Sequence, residues 1–106
     1  MSGSRGLPLV SVGMPVYNGA RFLRSSLDAL LAQEYPNIEI IISDNASEDE
    51  TEAICRDYAS RDPRICYSRN STNLGAARNF NRVFTLAHGE FFFWAACDDI
   101  WKPSFV

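Results

Sequence analysis

Ile38-Glu39-Ile40-Ile41-Ile42-Ser43-Asp44-Asn45 is the stretch that decides the fold of this chain. It is rich in β-branched isoleucine and ends in polar residues. A strand buried on both faces reads as a near-continuous apolar run, the signature of a parallel sheet. Phe91–Ala96 (FFFWAA) repeats the pattern and runs into Cys97-Asp98-Asp99. In open α/β sheets ligands bind just beyond the carboxyl ends of the strands. Carboxylates at those ends are therefore placed for chemistry.

Reading outward, Leu9–Met14 (LVSVGM) is a strand expected to stop at Pro15. Asn18-Gly19 is a turn, and Arg21–Glu34 carries Leu23, Leu27, Leu30 and Leu31 on one helical stripe. Tyr35-Pro36-Asn37 ends that helix. Ser47 and Glu50 fit a capping box for a second helix reaching about Ser60, with Ile54, Cys55 and Tyr58 as its apolar side. Ile65–Ser68 is a short strand and Asn70–Gly75 a polar loop. Ala76–Ala87 is a third helix, with Phe80, Val83, Phe84 and Ala87 facing one way and Gly89 at its C-cap. The order β-α-β-α-β-α-β predicts a mostly parallel sheet with helices on both faces. One edge of that sheet gathers Tyr17-Asn18, Asp44-Asn45, Asn70 to Asn73 and Asp98-Asp99.

The bulk numbers fit one globular domain: 106 residues, 46% hydrophobic and 22% charged, with a net charge of −3. Such a charge leaves no basic footprint for nucleic acid. Cys55, Cys66 and Cys97 form an odd set without CxxC spacing, which argues against a disulfide framework or zinc site. Reduced thiols suit a cytoplasmic protein, with the inner face of a membrane as a peripheral alternative. Residues 1–8 read as a disordered lead without the apolar core of a signal peptide, and residues 9–106 as the domain.

Carboxylates flanked by amides, with His88 the only histidine, suit a hard cation such as Mg2+ or Mn2+. Such an ion would bridge an acidic edge to a nucleoside diphosphate. The strand-one turn Gly13-Met14-Pro15-Val16-Tyr17 is not GxGxxG, and neither GxxxxGK[ST] nor GxSxG occurs. Dinucleotide oxidoreductases, P-loop NTPases and acyl hydrolases are thereby disfavoured.

Four segments, in order, resemble the family 2 glycosyltransferases, which have the GT-A fold. Val10 to Asn18 is similar to "vSVviPvYN", and Ser43 to Thr51 to "vDdgStDgT". Asn73 to Asn79 is similar to "NxGxxxArN", and Ala96 to Pro103 to "DaDDiwlP". The resemblance covers Leu9 to Val106 and implies the Rossmann-like half that binds a nucleotide-diphospho-sugar, a UDP-sugar above all. It implies that Pro15 and Tyr17 flank the base, that Asp44 hydrogen-bonds the uracil ring, and that Asn73, Gly75 and Asn79 lie near the nucleotide. Asp98 is implied as the ligand of the metal bridging the diphosphate. Ala96 replaces the leading acid of the DxD motif, which removes a ribose or metal contact or passes it to Asp99. Transfer of the sugar to a glycan, lipid or protein hydroxyl, with inversion, would use a base beyond Val106. The chain would then end after its DxD-like motif and contain no catalytic residue of its own. The rival readings are a non-catalytic scaffold of this fold, which Ala96 favours, and a signalling receiver domain, which the lack of an acid at Pro15-Val16-Tyr17 disfavours. A second copy at the open sheet edge is a further partner the reading leaves open.

Overall fold

The structure, a computed structural model, describes residues 7–95. Its strands are β1 (Val10–Val16), β2 (Ile38–Asp44), β3 (Ile65–Arg69) and β4 (Phe91–Trp94). Its helices are α1 (Ala20–Leu31), α2 (Thr51–Arg61) and α3 (Ala76–Leu86). The sheet order is β3-β2-β1-β4, and every pairing is parallel. The alternating order of elements in the sequence thus produces the expected parallel sheet.

Strand alternation sorts the two faces. Even positions of β1 and β2 (Val10, Val12, Met14, Val16, Ile38, Ile40, Ile42) join Leu23, Leu27 and Leu30 of α1 and Ile54 and Tyr58 of α2 in one core. Odd positions turn to α3. There Gly13 leaves room that a Cβ would fill, 2.5 Å from Val83 Cγ1 and 2.4 Å from Phe92 Cζ. That close approach is why a central strand carries glycine in its middle.

Several boundaries differ from the sequence reading, each for a local reason. Pro15 does not stop β1, which continues to Val16. The backbone groups of odd β1 residues point to β4, and among the described residues the last rung of that pairing is Ala95 N–H to Gly13 O at 2.8 Å. The missing N–H of Pro15 therefore falls beyond the last rung and breaks no ladder bond. α1 closes at Leu31 rather than Glu34, with Ala32 N–H bonded to Asp28 O and Gln33 N–H to Leu30 O. The Ser47–Glu50 capping box does not form. Glu50 is the N-cap of α2 and makes no side-chain cap bond. β3 extends to Arg69 and α3 ends at Leu86. Gly89 is not a left-handed C-cap; Ala87 ends α3 with extended backbone, and Gly89 N–H bonds Ser11 Oγ at 2.8 Å.

β4 departs most from expectation. Its run is apolar, yet Phe91 is 55% exposed, and Phe93 and Trp94 are also exposed. Among the described residues β4 is an edge strand with β1 as its one neighbour. On the α3 side Phe80 meets Trp94 (ring centroids 4.9 Å apart) and Phe84 meets Phe92 (5.2 Å), but Phe84 stays 62% exposed.

At the amino ends of the strands a polar cluster fastens the turn before β4. Ser11 Oγ donates to Glu39 Oε2 at 2.5 Å, His88 N–H donates to the same oxygen, and His88 Nδ1 lies 3.2 Å from Oε1. Burial alone would raise the Glu39 pKa, but these hydrogen bonds outweigh it and hold the carboxyl below its usual range.

Candidate functional site

The carboxyl ends of β1 and β2 open into a cleft of about 360 Å³ between the loop after β1 and the start of α3. Pro15 lines it from β1, Tyr17 from the loop after β1, Asn45 from the end of β2, and Asn73 and Gly75 from the loop after β3. Asn79 and Phe80 line it from α3. Five sequence-identified positions therefore share one cavity: Pro15, Tyr17, Asn73, Gly75 and Asn79. The Tyr17 ring is 47% exposed there. Asp98 and Asp99 lie outside the described residues, as do Ala96 and Cys97.

The geometry does not bring Asp44 to the cleft surface. The residue is 0% exposed. Its Oδ1 accepts Ser47 N–H at 2.9 Å, and its Oδ2 accepts the Tyr67 hydroxyl at 2.6 Å and Arg69 Nη1 at 3.2 Å. Burial and the Asp44 carboxylate together push the Tyr67 phenol well above its ordinary pKa. The cause is register: Asp44 shares its face with Ile40 and Ile42, and pairs with Arg69 of β3. Its neighbour Asn45 has the opposite parity and reaches the cleft.

Three asparagines line the cavity, Asn45, Asn73 and Asn79, and a fourth, Asn70, is hydrogen-bonded to two of them. Asn45 Nδ2 donates to Asn73 Oδ1 at 2.8 Å, and Asn45 Oδ1 accepts Leu74 N–H at 2.8 Å. Asn73 Oδ1 also accepts Gly75 N–H at 2.8 Å. Asn79 takes the Ser43 hydroxyl on Oδ1 at 2.7 Å and donates Nδ2 to Ser43 O at 3.0 Å. Asn70 Nδ2 donates to both Asn45 Oδ1 (3.0 Å) and Asn79 Oδ1 (2.9 Å). Asn45, Asn70 and Asn79 are buried, so their satisfied amides avoid the cost of unpaired polar groups. Asn73 differs. It is exposed, and among the described residues its Nδ2 donates no hydrogen bond, so that donor is open to the cleft. Gly75, at φ +87°, makes the left-handed step from this loop into α3.

A second set of bonds clips the loop after β1 to the loop after β2. Asn18 N–H donates to Ser47 Oγ at 2.8 Å, and Asn18 Oδ1 accepts Glu48 N–H at 2.8 Å. Gly19 N–H donates to Thr51 Oγ1 at 3.0 Å and Ala20 N–H to Asp49 Oδ2 at 3.1 Å. The amides that open α1 are thus filled by the chain itself. A phosphate group commonly occupies this place in α/β folds with a glycine-rich first turn. The amino end of α3, beside Gly75 and Ala76 of the cleft wall, carries no acid in its first turn and no side-chain cap.

The sequence reading gathered Asn45 and Asn70 at the functional edge but named neither of them, nor Phe80, as a site residue; Asn45 and Phe80 line the cleft, and Asn70 bonds to Asn45 and Asn79 of its lining. Strand parity was the available signal for Asn45; Phe80 was legible only as one member of an apolar helix stripe. Among the described residues no cluster of three or more His, Cys, Asp or Glu could hold a metal ion.

The model of Glycosyl transferase family 2 matches residues 11–106. The chain belongs to this family. The family 2 chain is 41% identical over 98 residues to an uncharacterised glycosyltransferase of Rickettsia typhi, an alignment covering 92% of this chain and 29% of the relative. It is 34% identical over 98 residues to glycosyltransferase GlyG of Streptococcus pneumoniae, covering 92% of this chain and 33% of that one. Among solved structures, the mannosyltransferase PcManGT of Pyrobaculum calidifontis, in complex with GDP-Man and Mn2+, superposes with TM-score 0.82 at 30% identity, over 89% of this chain and 28% of that one. Staphylococcus aureus TarS (1–349) in complex with UDP-GlcNAc gives 0.82 at 28% identity, over 89% and 28%. The architecture of the family 2 chain is that of the GT-A glycosyltransferases, and it spans about a third of the length of these relatives. No helix among the described residues is long and apolar enough to cross a membrane.

Proposed function

We propose that the cleft binds the nucleoside of a nucleotide-diphospho-sugar donor, uridine first, for transfer of the sugar to an acceptor hydroxyl with inversion. The observation that carries the reading is the cleft itself, at the carboxyl ends of β1 and β2. It presents two aromatic rings, Tyr17 and Phe80, and the open amide donor of Asn73. Aromatic faces stack on a base, at about 1–3 kcal/mol per base. A free N–H donor suits the carbonyl oxygens of uracil or the ribose oxygens. The PcManGT and TarS structures, with GDP-Man and UDP-GlcNAc, support a nucleotide-sugar ligand as such.

Asp44 supports the nucleoside from beneath the surface, by holding Ser47, Tyr67 and Arg69 in place. Among the described residues, the cleft lining contains no carboxylate and no imidazole. Deprotonation of the acceptor is therefore assigned to polypeptide outside residues 7–95. A divalent cation held by Asp98, with Asp99 as its second ligand, would neutralise the departing diphosphate. The Mn2+ of the PcManGT structure supports a metal in general.

Calorimetric titration of the chain with UDP, with and without Mn2+, tests the reading. Binding that strengthens with the metal is expected, with weaker binding of AMP as the control. A folded chain that takes neither UDP nor GDP with Mn2+ present would overturn it.

A further inference from the structure

Asn70 does not itself line the cleft but hydrogen-bonds two residues that do, and the sequence motifs assign it no role. It follows β3 directly, and its N–H extends the ladder to Asp44 O at 2.8 Å. Both hydrogens of its side-chain amide are used, one on Asn45 Oδ1 and one on Asn79 Oδ1. Asn45 stands at the end of β2 and Asn79 on α3, so a single buried group ties three elements together. Each partner carries further bonds outward. Asn45 holds Leu74 N–H and the Asn73 side chain, while Asn73 holds Gly75 N–H. The chain of contacts runs from Asn70 through Asn45 to the residue whose free amide faces the cleft.

The chemistry demands an amide at this position. Two carbonyl oxygens converge on one nitrogen, and only a group with two N–H donors satisfies both. Aspartate has the same shape and no donor when ionised, and it would set a negative charge against both oxygens. Serine has one donor.

We propose that Asn70 is the positioning residue of the cleft: its two amide hydrogens lock Asn45 to Asn79 and thereby fix the 70–75 loop in the shape that receives the nucleoside. The proposal rests on the nucleoside reading of the cleft. The locking itself can be observed with no ligand present, so the failure of either can be told apart.

The test compares wild-type chain with Asn70→Asp and Asn70→Ser by amide hydrogen exchange, followed by titration with UDP and Mn2+. In Asn70→Asp, exchange at the Leu74 and Gly75 amides rises by about tenfold or more, a loss of one net hydrogen bond or more. Exchange at Ala95, bonded to Gly13 O across the sheet, stays as in wild type. Asn70→Ser falls between the two. Lowering the pH until the new carboxyl is protonated returns one donor, so the excess of loop exchange over wild type, compared at the same pH, shrinks again, which a general loosening would not do. UDP affinity falls about tenfold in Asn70→Asp for the same reason. Unchanged exchange at Leu74 and Gly75 overturns the proposal, as does an equal rise at Ala95. A loosened loop with full UDP affinity overturns its link to binding. Should Asn70→Asp fail to fold, Asn70→Ser against wild type gives the same decision. A wild-type chain that shows the exchange pattern but takes no nucleotide removes the nucleoside reading and leaves the lock standing.

Discussion

Asp44 and Asn45 show how one position along a strand separates a support from a surface. In β2 even positions enter the α1–α2 core and odd positions turn to α3. Asp44 follows Ile40 and Ile42 inward, and Asn45 follows Ile41 and Ser43 to the cleft. The sequence reading picked the charged member of the pair because carboxylates at strand ends attract notice. Counting parity from Ile38 would have picked the amide. Ala46, next in line, has φ +62°, a left-handed conformation that costs a residue with a Cβ about 1–2 kcal/mol. The family pattern resembled by this stretch has glycine there. Ala46→Gly is therefore expected to stabilise the chain by about 0.5–1 kcal/mol, after the larger backbone entropy of glycine in the unfolded state is deducted. Chemical denaturation would register it as a higher midpoint at unchanged slope; a lower midpoint would refute the strain.

At the scale of elements, existence and type were legible, and boundaries and caps were not. The Leu23, Leu27, Leu30 stripe of α1 was readable because an amphipathic helix repeats its apolar positions in sequence. The capping box at Ser47 was misread because the same side chains had a competing use across the fold. Ser47, Asp49 and Thr51 receive the opening amides of α1. That contact joins residues 29 to 32 apart, which no local pattern contains. Gly13 is another position where packing between elements sets the residue. Gly13→Ala is expected to cost about 1–3 kcal/mol, because the added methyl meets both Val83 and Phe92. The strain belongs to the α3–β4 side alone. Exchange protection in α3 and β4 should fall while that of the core helices α1 and α2 holds, and uniform loss across the sheet would contradict this assignment.

Across the whole molecule, the cleft and the Ser11–Glu39–His88 cluster stand at opposite ends of the same strands. The pH dependence of folding is argued at this scale. Glu39 has a folded-state pKa below its ordinary 4.5. The unfolded chain therefore binds the proton first as pH falls, so the contribution of Glu39 is complete above that ordinary value. It is lost as pH drops below 4.5 and through the folded-state value. Asp49 and Asp62, also lowered, act in the same direction. Glu39→Gln should flatten part of the acid limb of a stability-against-pH curve and leave the neutral plateau lower by about 1 kcal/mol. An acid limb identical to wild type would show that the cluster contributes nothing. This cluster was invisible in the sequence, since Ser11, Glu39 and His88 become neighbours only through the parallel register.

Among the described residues the outer edge of β4 is unpaired, and its exposed aromatic side chains have a consequence at the bench. Dyes that brighten on apolar surface are read as markers of a loosened core. Here the folded state itself displays Phe84, Phe91, Phe93 and Trp94. Such a dye glows on this chain before any heat is applied, and melting curves built on it start from a false summit. Circular dichroism, blind to that surface, is the sounder thermometer for every variant named above.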